Sequence, residues 1–102
     1  MKENLVLKIH PDDNVLVALS NLKKGTNVYY KGTIYKLNDT VKSKHKFSIN
    51  KLSVGEYIYM YGVIVGKVKK KILTGDLISQ KNIEHYVENY NLKNEEKNEK
   101  KN

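Results

Sequence analysis

Cysteine is absent from the 102-residue chain, and this absence excludes several kinds of site at once. The chain itself can supply no disulfide, no cysteine nucleophile, no zinc–cysteine centre and no iron–sulfur ligand. No apolar stretch approaches the length of a membrane span, and Met1 leads into a short β-like run, not into a signal peptide. We therefore predict one domain of ordinary size that has no membrane segment and resides in the cytoplasm.

Arginine is also absent, although the formal net charge is +8. A basic surplus of this size suggests nucleic-acid binding. However, arginine is the preferred side chain for bidentate contacts to phosphate and guanine, and every basic residue here other than the histidines is lysine. The abundance of Asn, Ile and Tyr beside Lys is typical of an AT-rich genome. We predict a generic basic surface, and a nucleic-acid-binding β-domain is kept only as a third hypothesis.

A repeated turn pattern is what the chain does contain. The spacing apolar-x-x-Gly-x-x-apolar occurs three times, at residues 22–28, 52–58 and 72–78, with Gly25, Gly55 and Gly75 at the centres. Because glycine takes a positive φ at low cost, each copy predicts a tight turn that leads into a strand. Three copies in one small chain predict internal pseudo-symmetry.

Short β-like runs make up most of the remaining sequence, with turn signals such as residues 10–14 between them. The predicted strands are 5–9, 15–19, 26–30, 32–36, 47–49, 57–61, 63–65 and 76–78, with an exposed basic segment at 67–71. This pattern predicts an all-β class, a small barrel-like or clip-like domain over residues 1–85. Residues 86–102 are almost all Lys, Glu and Asn, which predicts a disordered or fraying charged tail.

Several motifs follow one another in a fixed order. They are the segment 9–19, then His45-Lys46, Gly55-Glu56, Tyr61-Gly62, Ile64-x-Gly66 and Gly75. Together they resemble the SAF domain of the altronate/galactarate dehydratase family, a small N-terminal domain or a separate small subunit. The small subunit of sulfolactate sulfo-lyase is similar. The resemblance covers about residues 5–85 and implies a β-clip fold, which agrees with the all-β pattern.

The resemblance implies a part of a lyase and not a whole enzyme. In this family a larger domain or subunit carries most of the active site, the substrates are sugar acids and other hydroxy acids, and a divalent metal, iron or manganese, assists. Removing a proton beside a carboxylate requires a base, an acid for the departing hydroxyl and a cation that stabilises the developing charge. We predict a small dehydratase subunit that forms one wall of the site and docks on a larger catalytic chain through its apolar, tyrosine-bearing edge.

The resemblance also assigns the candidate site residues. His45 is expected to be an acid/base group or ligand and Lys46 an anion contact, although a surface histidine among lysines is the plainer alternative. Strand alternation predicts that the two side chains point to opposite faces. The expected substrate contacts are Tyr61, Gly62, Lys81 and Asn82.

The chain departs from the family pattern after Gly75. Family members carry a histidine-rich strand there that ends in His-Asn, whereas Leu77, Ser79 and Lys81 occupy the histidine positions in this chain and Asn82 alone is kept. Serine and lysine do not replace imidazole as ligands of borderline metals. The remaining metal-ligand candidate is His45, and iron or manganese is expected only through the larger subunit.

The lost histidines leave a second hypothesis open. The chain would then be a stand-alone SAF-type module that binds an anionic carbohydrate or a protein without catalysis. Two other histidines receive no ligand role, because His10 precedes Pro11 at a turn and His85 begins the tail. Tyrosines 57, 59 and 61 are expected to share one strand face as core or as partner interface.

Overall fold

The computed structural model describes residues 5–86, and all regular elements in that range are short β-strands. They are β1 (Val6–Leu7), β2 (Val15–Ala18), β3 (Asn27–Tyr30), β4 (Thr33–Lys36), β5 (Lys46–Ser48), β6 (Tyr57–Met60), β7 (Val63–Val68) and β8 (Ile83–His85). They form three antiparallel sheets, in the orders β1-β2-β5, β3-β4 and β6-β7-β8. The predicted all-β class is confirmed, whereas the predicted tail lies outside the described residues from residue 87 onward.

Residues 5–86 contain four turns of one type, one more than the glycine pattern predicts. In each turn an amide donates to the carbonyl three residues earlier, at 2.9–3.0 Å; the donors are Thr26, His45, Glu56 and Asp76. The residue before each donor has a positive φ: +90° at Gly25, +72° at Lys44, +97° at Gly55 and +93° at Gly75. This is the signature of a type II turn. The pattern missed the turn at 42–45 because lysine occupies the glycine position.

The turns and hairpins build two equivalent halves, residues 22–47 and 52–78. A bridge between Leu22 and Val41 joins the two turns of the first half, and a bridge between Leu52 and Ile72 joins those of the second. Hairpin turns with positive φ at both central residues lie at 31–32 and at 61–62. Such turns match the twist of the strands that they connect. The halves confirm the predicted pseudo-symmetry.

Each half has its own hydrophobic core. The first core includes Leu22, Val28, Leu37, Val41 and Phe47, and the second includes their equivalents Leu52, Ile58, Val68, Ile72 and Ile78. Strand β2 contributes to both cores, Leu16 to the first and Val15 to the second, because successive residues of a strand face opposite sides. Packing on the two faces of β2 therefore holds the halves together.

The carboxylate of Asp13 fastens the tip of the β6–β7 hairpin. Asp13 is only 3% exposed. It accepts hydrogen bonds from three backbone amides, those of His10 at 3.0 Å, Tyr61 at 3.1 Å and Gly62 at 2.9 Å. The residue that the sequence suggests as a local turn former therefore also makes a long-range tertiary contact.

The neighbouring Asn14 spans an irregularity in the same hairpin. The register between β6 and β7 shifts after Ile58, where β7 contains one extra residue. The Asn14 side chain donates to the Tyr57 carbonyl at 3.0 Å and accepts from the Tyr59 amide at 2.9 Å. These bonds satisfy the backbone groups beside the bulge and connect β6 to the start of β2.

Three local predictions need correction. The strand predicted at 76–78 contains only an isolated bridge from Leu77 to Phe47, and the last strand, β8, begins at Ile83. Strand β7 continues into the predicted exposed basic segment and buries Val68 in the second core. Tyr61 does not extend the face of Tyr57 and Tyr59, because it lies in the hairpin turn, where it is 60% exposed.

Candidate functional site

Two adjoining depressions lie where β5 meets residues 78–80, and we call them together the junction site. Their volumes are about 300 and 360 Å³. Both are lined by Lys46, Ile78, Ser79 and Gln80. The smaller one also contacts Ile83 and His85, and the larger one Lys44 and His45. The site therefore combines the 42–45 turn, β5, the loop after Ile78 and β8.

Backbone bonds hold the two sides of the junction site together. The Ile78 amide donates to the Lys46 carbonyl at 3.0 Å, and the Ser48 amide donates to the Asp76 carbonyl at 3.0 Å. Lys46 pairs with Val17 of β2, so the two side chains share one face of that sheet. Because residues 76–78 run beside β5, the loop that follows brings Ser79 and Gln80 to the same depressions as Lys46.

The junction site is cationic and has no acidic lining residue. Its ionisable lining groups are two lysines and two histidines: Lys44, Lys46, His45 and His85. Lys46 is half-buried, and this burial lowers the pKa of its ammonium group because desolvation penalises the charged form. A concave surface with this composition favours a small anion, and Ser79 and Gln80 add neutral hydrogen-bond donors.

His45 and Lys46 lie together, which differs from the prediction of opposite faces. Both line the larger depression of the junction site. The alternation rule does not apply to His45 because this residue belongs to the 42–45 turn, and β5 begins one residue later at Lys46. The structure therefore brings the two proposed catalytic residues to one surface.

Asn82 holds the loop after Ile78 in place, whereas Lys81 does not line the junction site. The Asn82 side chain accepts from the Ser79 amide at 3.0 Å and donates to the Leu77 carbonyl at 2.8 Å. These bonds occupy both ends of its amide, so Asn82 acts as a positioning residue for Ser79. Lys81 is exposed and lines neither depression of the junction site.

Tyr61 and Gly62 are not among the lining residues of the junction site. Their amides are bound to Asp13, and a Cβ at Gly62 would lie 2.9 Å from the imidazole of His10. Together with its φ of +78°, this close approach explains the glycine in structural terms. The hairpin tip thus has a packing reason for Gly62 and a backbone bond at Tyr61, and the expected substrate contact of both residues stays a prediction.

Sequence reasoning missed six of the residues that line the junction site: Lys44, Ile78, Ser79, Gln80, Ile83 and His85. His85 was assigned to the start of the tail, yet it pairs with Gly66 in β8 and lines the smaller depression. The short run Ile83-Glu84-His85 carries only a weak strand signal. Pairing with β7 is what places Ile83 and His85 on the inner face.

The residues of the junction site do not fit a metal ion. Within residues 5–86 there is no group of three or more His, Cys, Asp or Glu side chains that could hold one. The histidines at the site lie beside two lysine ammonium groups, whose positive charge disfavours the binding of a metal cation. Iron or manganese held by a larger chain remains a prediction.

A third depression, of about 380 Å³, lies over β6. It is lined by Asn14, Leu52, Gly55, Glu56, Tyr57 and Tyr59. Its one ionisable carboxylate, on Glu56, would repel an anion, and Asn14 is already bonded to the β6 backbone. This depression therefore suits an anionic ligand less well than the junction site does.

In residues 5–86, no helix has the length and apolarity that crossing a membrane requires.

The duplicated turn-and-hairpin plan, with its short strands and twin cores, defines a small all-β domain of the clip type. The chain belongs to the family described as "Altronate/galactarate dehydratase SAF domain", whose sequence model matches residues 4–86. The resemblance stated above on the ordered motifs is thereby confirmed.

Two curated relatives are altronate dehydratases. The chain is 32% identical over 72 residues to altronate dehydratase of Bacillus subtilis (strain 168), which is 71% of this chain and 14% of that protein. It is 35% identical over 69 residues to altronate dehydratase of Escherichia coli (strain K12), 68% of this chain and again 14% of that protein. The chain is thus related to sugar-acid dehydratases, of whose length it spans about one seventh.

Proposed function

We propose that this chain is the small subunit of a hydroxy-acid dehydratase and forms one wall of an active site that a larger catalytic chain completes. The observation that carries the proposal is the junction site, whose lining has four basic side chains and no carboxylate. A sugar acid is a small anion with many hydroxyl groups. The ammonium groups, together with Ser79 and Gln80, match both features.

The chemistry explains why a second chain is needed. Loss of water from a hydroxy acid requires a base for the proton beside the carboxylate and an acid for the departing hydroxyl. His45 can serve one of these roles, and Lys46 can hold the carboxylate. The other catalytic group, the remaining walls and any iron or manganese would come from the larger chain, because the junction site is an open surface.

Reconstitution tests this proposal. The chain would be co-expressed with the larger altronate dehydratase-type chain of the same host, and complex formation would be measured by size-exclusion chromatography with light scattering. Galactarate and altronate would then be assayed for conversion to the 2-keto-3-deoxy acid. We expect no turnover by this chain alone and turnover by the complex.

Two matched lysine variants test whether turnover by the complex depends on the junction site. Lys46→Gln should lower turnover by the complex at least about tenfold, whereas Lys69→Gln, at an exposed lysine outside the junction site, should not change it. Full turnover by the larger chain alone would contradict the small-subunit role. A stable complex whose turnover is unchanged by Lys46→Gln would contradict the junction site as a wall of the active site.

A binding module without catalysis is the second candidate function. The lack of a metal-binding cluster among residues 5–86 and the substitution of the family's histidines by Leu77, Ser79 and Lys81 favour it. This function predicts that the chain binds an anionic sugar but adds no turnover to any dehydratase chain. The reconstitution assay, run beside a binding titration, separates the two candidates.

A further inference from the structure

We infer that the junction site binds a carboxylate directly through the ammonium groups of Lys46 and Lys44, and that no metal ion takes part on this wall. The choice of a sugar acid as ligand rests on the proposed function. The mode of binding rests on four observations: the burial of Lys46, the backbone of Lys44, the lack of acidic groups in the lining, and the poor fit for a metal.

Lys46 is a half-buried cation without an acidic partner among the described residues. It is the basic residue that lines both depressions. Within residues 5–86 the one side-chain contact at salt-bridge distance joins His10 to Asp12, at 3.9 Å, so no carboxylate lies within 4 Å of the Lys46 ammonium. A desolvated and unpaired ammonium is costly, and an anionic ligand would relieve that cost.

Lys44 occupies a position at which the other three equivalent turns have glycine. Its φ is +72°, a left-handed conformation that costs a residue with a Cβ about 1 kcal/mol or more. Glycine would avoid this strain, so the turn itself gives no reason for lysine. The side chain lines the larger depression beside Lys46, and anion binding supplies the reason.

The acidic side chains near the junction site either accept hydrogen bonds from other groups or face away from the site. The Asp76 carboxylate accepts from the Leu73 amide at 2.8 Å and from the Asn38 side chain at 2.8 Å. Asp39 accepts from the Leu77 amide at 3.1 Å. Glu84 lies between Ile83 and His85 in β8, so strand alternation directs it to the opposite face. The positive charge of the site is therefore not neutralised locally.

These observations also indicate which lysine faces the ligand. Lys81 stands at a histidine position in the sequence, but it is exposed and outside the lining. Lys46 precedes the loop by more than thirty residues in sequence and yet lines both depressions. The cation that faces the ligand is thus Lys46, supported by Lys44.

A titration of the full chain with galactarate tests the inference. Amide resonances of ¹⁵N-labelled protein would be followed up to tens of millimolar ligand with EDTA at constant ionic strength, and the affinity would be measured again by calorimetry with Mn²⁺ in EDTA-free buffer. We expect saturable shifts at Lys46, Ser79, Gln80 and His85 in EDTA, with affinity unchanged within about twofold by the metal. The uncharged polyol galactitol should cause no such shifts.

Variants identify the binding group. Lys46→Gln should weaken galactarate binding at least about tenfold and Lys44→Gly about threefold, whereas Lys46→Arg should retain most of the affinity. Lys69→Gln, an exposed lysine elsewhere, should leave it unchanged. Bound galactarate should also raise the lowered pKa of Lys46, because a nearby carboxylate favours the charged amine.

Three results would overturn the inference. They are the absence of shifts in EDTA, binding that requires Mn²⁺, and binding that is insensitive to Lys46→Gln in a variant whose spectrum shows the native fold. Because this titration uses the chain without a partner, it can fail while the reconstituted complex turns over. Conversely, metal-free binding can be observed even if no larger chain associates.

Discussion

The two halves of the domain share a backbone plan and differ in what is added to it. In the first half the hairpin tip is exposed, and nothing lies within 4 Å of a Cβ built at Gly32. In the second half Asp13 and His10 hold the equivalent tip, and β8 pairs with β7. The first hairpin remains a two-stranded sheet in the described part of the chain.

The differences gather around the junction site. Strand β8 brings His85 and Ile83 to it, and the 42–45 turn of the first half brings Lys44 where the equivalent turn of the second half has Gly75. The duplication thus provides a scaffold with two similar cores. The departures from symmetry provide the polar and charged groups on which the proposed function depends.

The largest expected effect comes from removing the anchor that distinguishes the second hairpin. Asp13→Ala deletes three hydrogen bonds to a buried carboxylate and should lower the free energy of unfolding by about 3–5 kcal/mol. Urea denaturation measures this change. The neighbouring Asp12 is exposed, and Asp12→Ala should cost less than about 0.5 kcal/mol. An equal loss of unfolding free energy in the two variants would contradict the role of Asp13 as the anchor of the hairpin tip.

The next effect separates two turns that look alike in sequence. A Cβ at Gly75 would collide with the Lys36 carbonyl oxygen, whereas a Cβ at Gly55 would meet nothing within 4 Å. Both residues have positive φ, so Gly55→Ala should cost about 1 kcal/mol and Gly75→Ala about 3 kcal/mol. Thermal unfolding of both variants measures the difference. Similar melting temperatures would show that the turns are equally packed.

The smallest effect has the opposite sign. Lys44→Gly removes the left-handed strain and should stabilise the domain by about 0.5–1 kcal/mol, while it weakens galactarate binding. Lys42→Gly is the matched control: this exposed residue of the same turn has no positive φ, so glycine there should destabilise. Calorimetry measures both changes. A loss of stability in Lys44→Gly would remove the argument that this lysine is kept for its charge.

Local sequence features predicted the scaffold well. The turns at Gly25, Gly55 and Gly75, the β2, β3, β4, β6 and β7 strands, and the internal repeat all follow from patterns within a few residues. A positive φ and the alternation of a strand are short-range properties, so one sequence carries enough information to predict them. The ordered motifs likewise identified the family that the comparison then confirmed.

The candidate site was predictable only in part. The motif predicts the pair His45-Lys46, but its common surface with Ser79 and Gln80 depends on the alignment of β5 with residues 76–78. Tyr61 and Gly62 carry an equally clear motif, but they lie at the tip of the β6–β7 hairpin and are not among the residues that line the junction site. A motif names residues that belong together in a family without stating which of them share a surface.

What the sequence by itself determined is therefore the all-β class, the three repeated glycine turns and the family. Tertiary structure alone decided the equivalence of Lys44 with three glycines, the buried role of Asp13, and the place of His85 beside Lys46. Each of these depends on contacts between residues far apart in the chain. Such contacts form only when the two halves pack on β2 and β8 pairs with β7, so no local pattern encodes them.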